Sequence, residues 1–157
     1  MPTRRTIERA KQDKREGKSA STQAGEFVRE EIDHVREGKH GARSAKQAIA
    51  IGLSKARRAG VKLRPPRGKT ISAETRRQAK RDTQRSRSRS RRPSTTRSRA
   101  TFRALAKEGR SAGSKEALSR QARGAAARRP KAARSQAARR AAATRAHRGT
   151  GRRRRAR

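Results

Sequence analysis

The residues best suited to chemistry lie between Gly38 and Arg58. A glycine-bounded turn, Gly38-Lys39-His40-Gly41, carries two cationic-type side chains and leads through Arg43 to Ser44, where a helix is expected to start. Unpaired amides at a helix start, at the positive end of its dipole, suit an oxyanion such as phosphate. Along the polar face of that helix Lys46, Ala50, Ser54 and Arg57 align, with Arg58 adjacent, and the small residues leave room for a nucleic-acid backbone. The expected phosphate contacts are therefore Lys39, His40, Arg43, Ser44, Lys46, Arg57 and Arg58, joined by the terminal run Arg152, Arg153, Arg154 and Arg155. Contacts of this kind position a polyanion without reading its bases.

Other chemistry finds little to work with. His34, His40 and His147 are the only histidines, and there is no cysteine to supply a thiolate. His34 sits among Glu30, Glu31 and Glu37, which reads as a solvated ion-pair face of a helix. His34 and His40 as metal ligands need partners that sequence spacing does not supply. The serines fall in caps and linkers, away from any base that would activate a nucleophile. The expectation is a protein that is not an enzyme, with no catalytic residue, no metal site and no cofactor.

Three helices must position the candidate residues. The first, about residues 3–16, has Thr3 or Thr6 to cap it and Gly17 to end it. The second, about 22–37, repeats Ala24, Val28, Ile32 and Val35 at the helical interval, with Phe27 beside them and Gly38 to close it. Glu26, Glu30, Glu31 and Asp33 are assigned to its remaining surface. The third, about 45–59, opens on the capping-box pair Ser44 and Gln47. Its apolar face is Ala45, Ala48, Ile49, Gly52, Leu53 and Ala56, Gly60 stops it, and Pro65-Pro66 prevents continuation. Gly52 within that face marks close approach of the second and third helices. The fold class expected is mainly α: a small helical hairpin module, then a largely disordered, conditionally helical basic arm.

Charge divides the chain in the same way. Its 49 lysines and arginines against 12 acidic residues give a formal charge of +37. Residues 1–63 hold sixteen basic and eight acidic groups, whereas residues 64–157 hold thirty-three and four, or +29. Eleven of the fourteen Phe, Val, Ile and Leu residues lie between Ile7 and Ile71. Few large apolar side chains with high net charge cannot offset chain entropy, which is the composition of disorder. The expected division is a helical module at 1–66, a polar, Arg-Ser-rich linker at 67–98 and an Ala/Arg-rich arm at 99–157. A polar helix over 72–84, capped by Ser72, is expected to be solvated, and Ser86, Ser88 and Ser90 offer sites where phosphorylation would subtract charge. In the arm, Phe102 and Leu105 mark one helical turn and Ser114 starts another.

A charge of +29 matches about 29 phosphates, or ~50 Å of duplex. Ten simultaneous contacts correspond to a salt slope near about −9. The longest apolar stretch, Ala48 to Leu53, is too short to cross a bilayer, and the first residues lack the apolar run of a signal peptide. The basic arm has no apolar face with which to enter a membrane surface.

The Gly-x-x-Gly turn resembles the clamp of KH-type RNA-binding domains, but no alternating segment supplies the strands such a domain needs. A broader resemblance rests on Glu26-Phe27-Val28-Arg29-Glu30-Glu31-Ile32, on Glu37 to Ser44 and on Lys46 to Gly60. These stretches resemble a family of small basic bacterial proteins of unknown function, often labelled by analogy as DNA-binding or plasmid-stabilisation proteins. The resemblance covers about residues 3–66, and the arginine-rich end is similar in composition to a linker-histone or protamine tail. It implies a bacterial, intracellular setting. The function expected is largely sequence-independent nucleic-acid binding, with DNA favoured over RNA, in DNA compaction or nucleoid association in the cytoplasm. The alternatives are an RNA- or ribosome-associated factor and a small partner in a plasmid-maintenance system. Self-association through the hairpin seam is a further expectation, and no membrane partner is expected.

Overall fold

The computed structural model describes residues 2–66, 71–87 and 94–154, with the side chains of 87, 144 and 146–154 left outside that description. The chain is mainly helical, with no strand among the described residues. Its contacts divide it into two compact units, Met1–Leu118 and Ser119–Arg157.

The first unit begins with α1 (Arg4–Arg15), α2 (Ala20–Arg36) and α3 (Ala45–Arg58). Each starts on a hydroxyl: Thr3, Ser19 and Ser44 accept from the backbone N–H groups of Thr6, Thr22 and Gln47. Each ends in the same way. Gly17, Gly38 and Gly60 adopt φ of 70°, 75° and 94°, a left-handed conformation that glycine reaches without steric cost. The residue after each glycine then donates back into the last turn, as Lys39 N does to His34 O at 3.0 Å.

Helices α2 and α3 run in opposite directions. Phe27 meets Ala56, Val28 meets Gly52, and Val35 shares a cluster with Ala48. A Cβ on Gly52 would stand 2.7 Å from the Cα of Val28, so the crossing is closed to any side chain there. One end of the core is Ala10, Ala24, Phe27, Ala56 and Val61, with Ile7, Leu53 and Leu63 packed against it. The other end is Val35, Ala42, Ala48 and Ala112.

That last residue shows where the unit extends beyond the expected module. Helix α4 (Ala73–Arg87) packs on α3, burying Ala79 and Asp82, so the expected solvated helix is instead a packed one. Asp82 explains it: its carboxylate accepts from Ser54 Oγ at 2.6 Å and stands 3.8 Å from Arg58 Nε. After α5 (Thr95–Ala106), residues 107–114 form a strap ending in a 3₁₀ turn at Ser111–Gly113. The strap lies over the α2–α3 loop. Contacts thus hold residues of the expected linker and of the start of the expected arm to α2 and α3, and the boundaries at 66 and 98 do not coincide with the division at Leu118. The reason is that Ala112 and Gly113 are small enough to sit against Val35 and Arg36, and both are buried.

Helix α6 (Lys115–Ala127) opens on Ser114, whose Oγ accepts from Ala117 N at 3.1 Å. In the second unit, Pro130 interrupts the chain before α7 (Lys131–Arg154), the longest helix, in which alanine supplies the propensity and arginine is spread round every side. No described helix is long and apolar enough to cross a membrane.

Candidate functional site

The α2–α3 loop is covered. Gly41 N donates to Leu105 O at 2.9 Å and Ala42 N to Gly109 O at 3.1 Å. Arg43 N donates to Gln47 Oε1 at 2.7 Å, so the capping-box glutamine reaches one residue further back than Ser44. A Cβ on Gly41 would fall 1.8 Å from Glu108 O, inside the strap backbone. Glycine is therefore required here by the strap. The amides that a phosphate would use at Gly41, Ala42 and Arg43 already have protein acceptors.

The expected contact residues separate into three groups. Lys39, Arg43 and Lys46 remain exposed around the start of α3, with Lys39 2.8 Å from Glu37 and Arg43 3.4 Å from Glu108. His40 turns inward, and Ser44 is spent on its cap. Arg57 and Arg58 face α4. Burial pushes the Arg57 guanidinium down from its usual value, with Asp82 opposing, and its Nε is buried without a hydrogen bond. Arg155 and the side chains of Arg152, Arg153 and Arg154 lie outside the described residues, as do Ser88 and Ser90. Ser86 is within α4, donating to Thr83 O at 2.7 Å.

Behind the loop lies a polar cluster that the sequence pattern hides. Glu31 has no solvent exposure at all. It stands one helical turn from Phe27 and from Val35, on the core stripe of α2 and not on the surface to which sequence assigns it. The i±4 spacing to two core residues puts it on that stripe, and the facing helix is what buries it there. Lys55 of α3 pairs with its Oε2. Its Oε1 lies 3.2 Å from His40 Nε2, yet is buried without a hydrogen bond. His34, one turn along α2 and half-buried, meets His40 edge to face with ring centres 6.0 Å apart.

Glu30 borders the same cluster. Its Oε1 accepts from Thr3 N at 2.8 Å and stands 3.9 Å from His34 Nε2, while its Oε2 is buried without a hydrogen bond. Burial first, then the charges of Lys55 and Lys39, hold His34 below the usual imidazole value, against Glu30 and Glu31. His34 is thus drawn off the solvated face expected for it, and His40 is turned inward from the exposed turn on which a phosphate contact was expected. The fold also supplies what sequence spacing did not: ligand-type atoms of Glu31, His34 and His40 all lie within 4.8 Å of one another.

Residues 3–69 match a family described as a family of unknown function, DUF6496. The match contains α1, α2 and α3 and all five residues of the polar cluster, and leaves the strap and the arginine-rich helices outside it. No curated protein and no solved structure matches the chain.

Proposed function

We propose that this protein binds nucleic acid, DNA above all, through phosphate neutralisation with little sequence preference. The observation that carries this reading is the charge of the segment after Glu116: residues 117–157 contain fifteen lysines and arginines and no acidic residue. Such a segment has no carboxylate side chain of its own with which to balance its charge, and a phosphate polymer supplies the missing anions while releasing counterions. Arginine, fourteen of the fifteen, adds a planar fork that pairs with phosphate oxygens.

The first unit behaves differently. Most of its acidic side chains are drawn into internal pairs, among them Asp13 with Lys18, Glu31 with Lys55 and Glu26 with Arg29. Its role in this reading is to carry the basic helices and to add Lys39, Arg43 and Lys46 as exposed cations beside the loop. The amides of Gly41, Ala42 and Arg43 are paired within the protein, so side-chain charge is the contact this reading assigns to the loop.

The test is a salt titration with the full chain on matched duplex DNA and structured RNA. Binding is expected to weaken by on the order of 10⁵ between about 50 and 200 mM salt if about ten phosphates are engaged. Replacing Arg120, Arg123, Arg128, Arg129 and Arg134 by Gln should lower the slope by about 4–5 on both substrates. A slope near zero removes the proposal. Retention of RNA alone removes the preference for DNA.

A further inference from the structure

We propose that Glu31, His34 and His40 form a binding site for one divalent transition-metal ion, zinc above all, behind the α2–α3 loop.

The argument begins at His40. Its Nδ1 lies 3.1 Å from the carbonyl oxygen of Gly41. A carbonyl oxygen only accepts, so Nδ1 is the nitrogen that carries the proton. In the neutral ring Nε2 then presents a lone pair, and it faces Glu31 Oε1 at 3.2 Å. Two lone pairs so close repel unless a cation lies between them, either a proton or a metal ion. Anchoring of the distal ring N–H on a backbone carbonyl is also the usual outer support of a metal-bound histidine.

Charge leads to the same place. Glu30 and Glu31 bring two negative charges into the cluster, and Lys55 brings one positive charge. With neutral imidazoles the buried sum is negative by one, and each carboxylate keeps one buried oxygen without a hydrogen bond. A buried polar atom without a partner calls for an explanation, an ion among them. A divalent cation would occupy Oε1 of Glu31, while Lys55 stays on Oε2.

The donor set selects the metal. Two imidazoles and one carboxylate, with no thiolate, form the three-ligand set that zinc accepts while keeping a further position for water. Glu31 and His34 are three apart on one helix, a spacing used for carboxylate–imidazole ligation in helical bundles. Zinc bonds of about 2.0–2.2 Å place tetrahedral ligand atoms roughly 3.4 Å apart, so separations of up to 4.8 Å must contract by as much as about 1.4 Å.

The experiment uses the full chain, purified with nuclease and high salt and freed of metal by a chelator. Cobalt(II) alone is titrated first, because its visible absorption reports coordination number, and zinc(II) alone is then used to displace it. The expected result is one equivalent per chain, intense bands of a low-coordinate site, and at least about tenfold weaker binding in His34→Gln and in His40→Gln. Absence of stoichiometric binding overturns the proposal, as does wild-type affinity in the double variant. Should those variants fail to fold, zinc protection of the wild-type histidines from acylation decides. His34 and His40 are expected to become protected while His147 reacts at an unchanged rate; unchanged labelling of the first two means that a proton, not a metal, bridges Glu31 and His40.

Discussion

Glu31 is the residue on which the interior of the first unit turns. A carboxylate with no exposure survives in a core only when its charge is met, and Lys55 meets it from the facing helix. Removing either partner strands the other. Glu31→Leu should therefore cost about 3 kcal/mol in urea unfolding, with Lys55→Met close behind. The double change Glu31→Leu with Lys55→Met should recover most of that loss, because an apolar pair of similar volume often replaces a buried ion pair without penalty. Strict additivity of the two single changes would show that the pair does not act as a unit. Glu31 was legible as a helical residue from its neighbours. Its burial was not, since a glutamate inside an apolar stripe resembles a surface glutamate until the facing helix is known.

The strap is the feature that belongs to the scale of elements. It has no amphipathic pattern of its own, and it docks through backbone: Ala42 donates to its Gly109 O, Gly41 donates to Leu105 O just before it, and Arg36 Nε donates to Gly113 O at 2.7 Å. Gly41→Ala places a methyl group inside the Glu108 carbonyl and must lift the strap away. A loss of about 1–3 kcal/mol is expected, together with faster hydrogen exchange at the amides of residues 41 and 42. Unaltered exchange at those two amides would mean that the strap is not what protects them. The glycine at 41 was visible in the sequence, but the chain segment that crosses it was not. A short glycine turn before a helix serves an anion or a crossing chain equally well, and only the crossing chain tells them apart.

At the scale of the molecule, two parts obey different balances. In Met1–Leu118, helices cover one another's apolar stripes, and that burial sustains them. In Ser119–Arg157, α7 has alanine for propensity but no apolar face, and its arginines repel from every side. A helix of this kind is marginal in water without anions. Circular dichroism of the full chain should show helix content rising when polyphosphate or duplex DNA is added at low salt, and the gain should vanish near about 1 M salt as screening replaces the bound polyanion. Helix content indifferent to polyanion would separate the folding of α7 from binding. Phe102, 56% accessible in α5, stands outside both balances.

Sequence alone determined the mainly helical class, the places where α1, α2 and α3 stop, the close approach at Gly52 and the cationic character of everything past residue 116. These are properties of neighbours: a cap, a stop and a periodicity act within one or two turns, and charge simply adds. Tertiary structure decided that Glu31 is buried, that His34 and His40 meet around it, that α4 takes the Arg57–Arg58 face of α3, and that residues 105–113 cover the loop. Those pairings join residues up to 77 positions apart. No local rule encodes them, because they depend on which small side chains allow two distant backbones to touch.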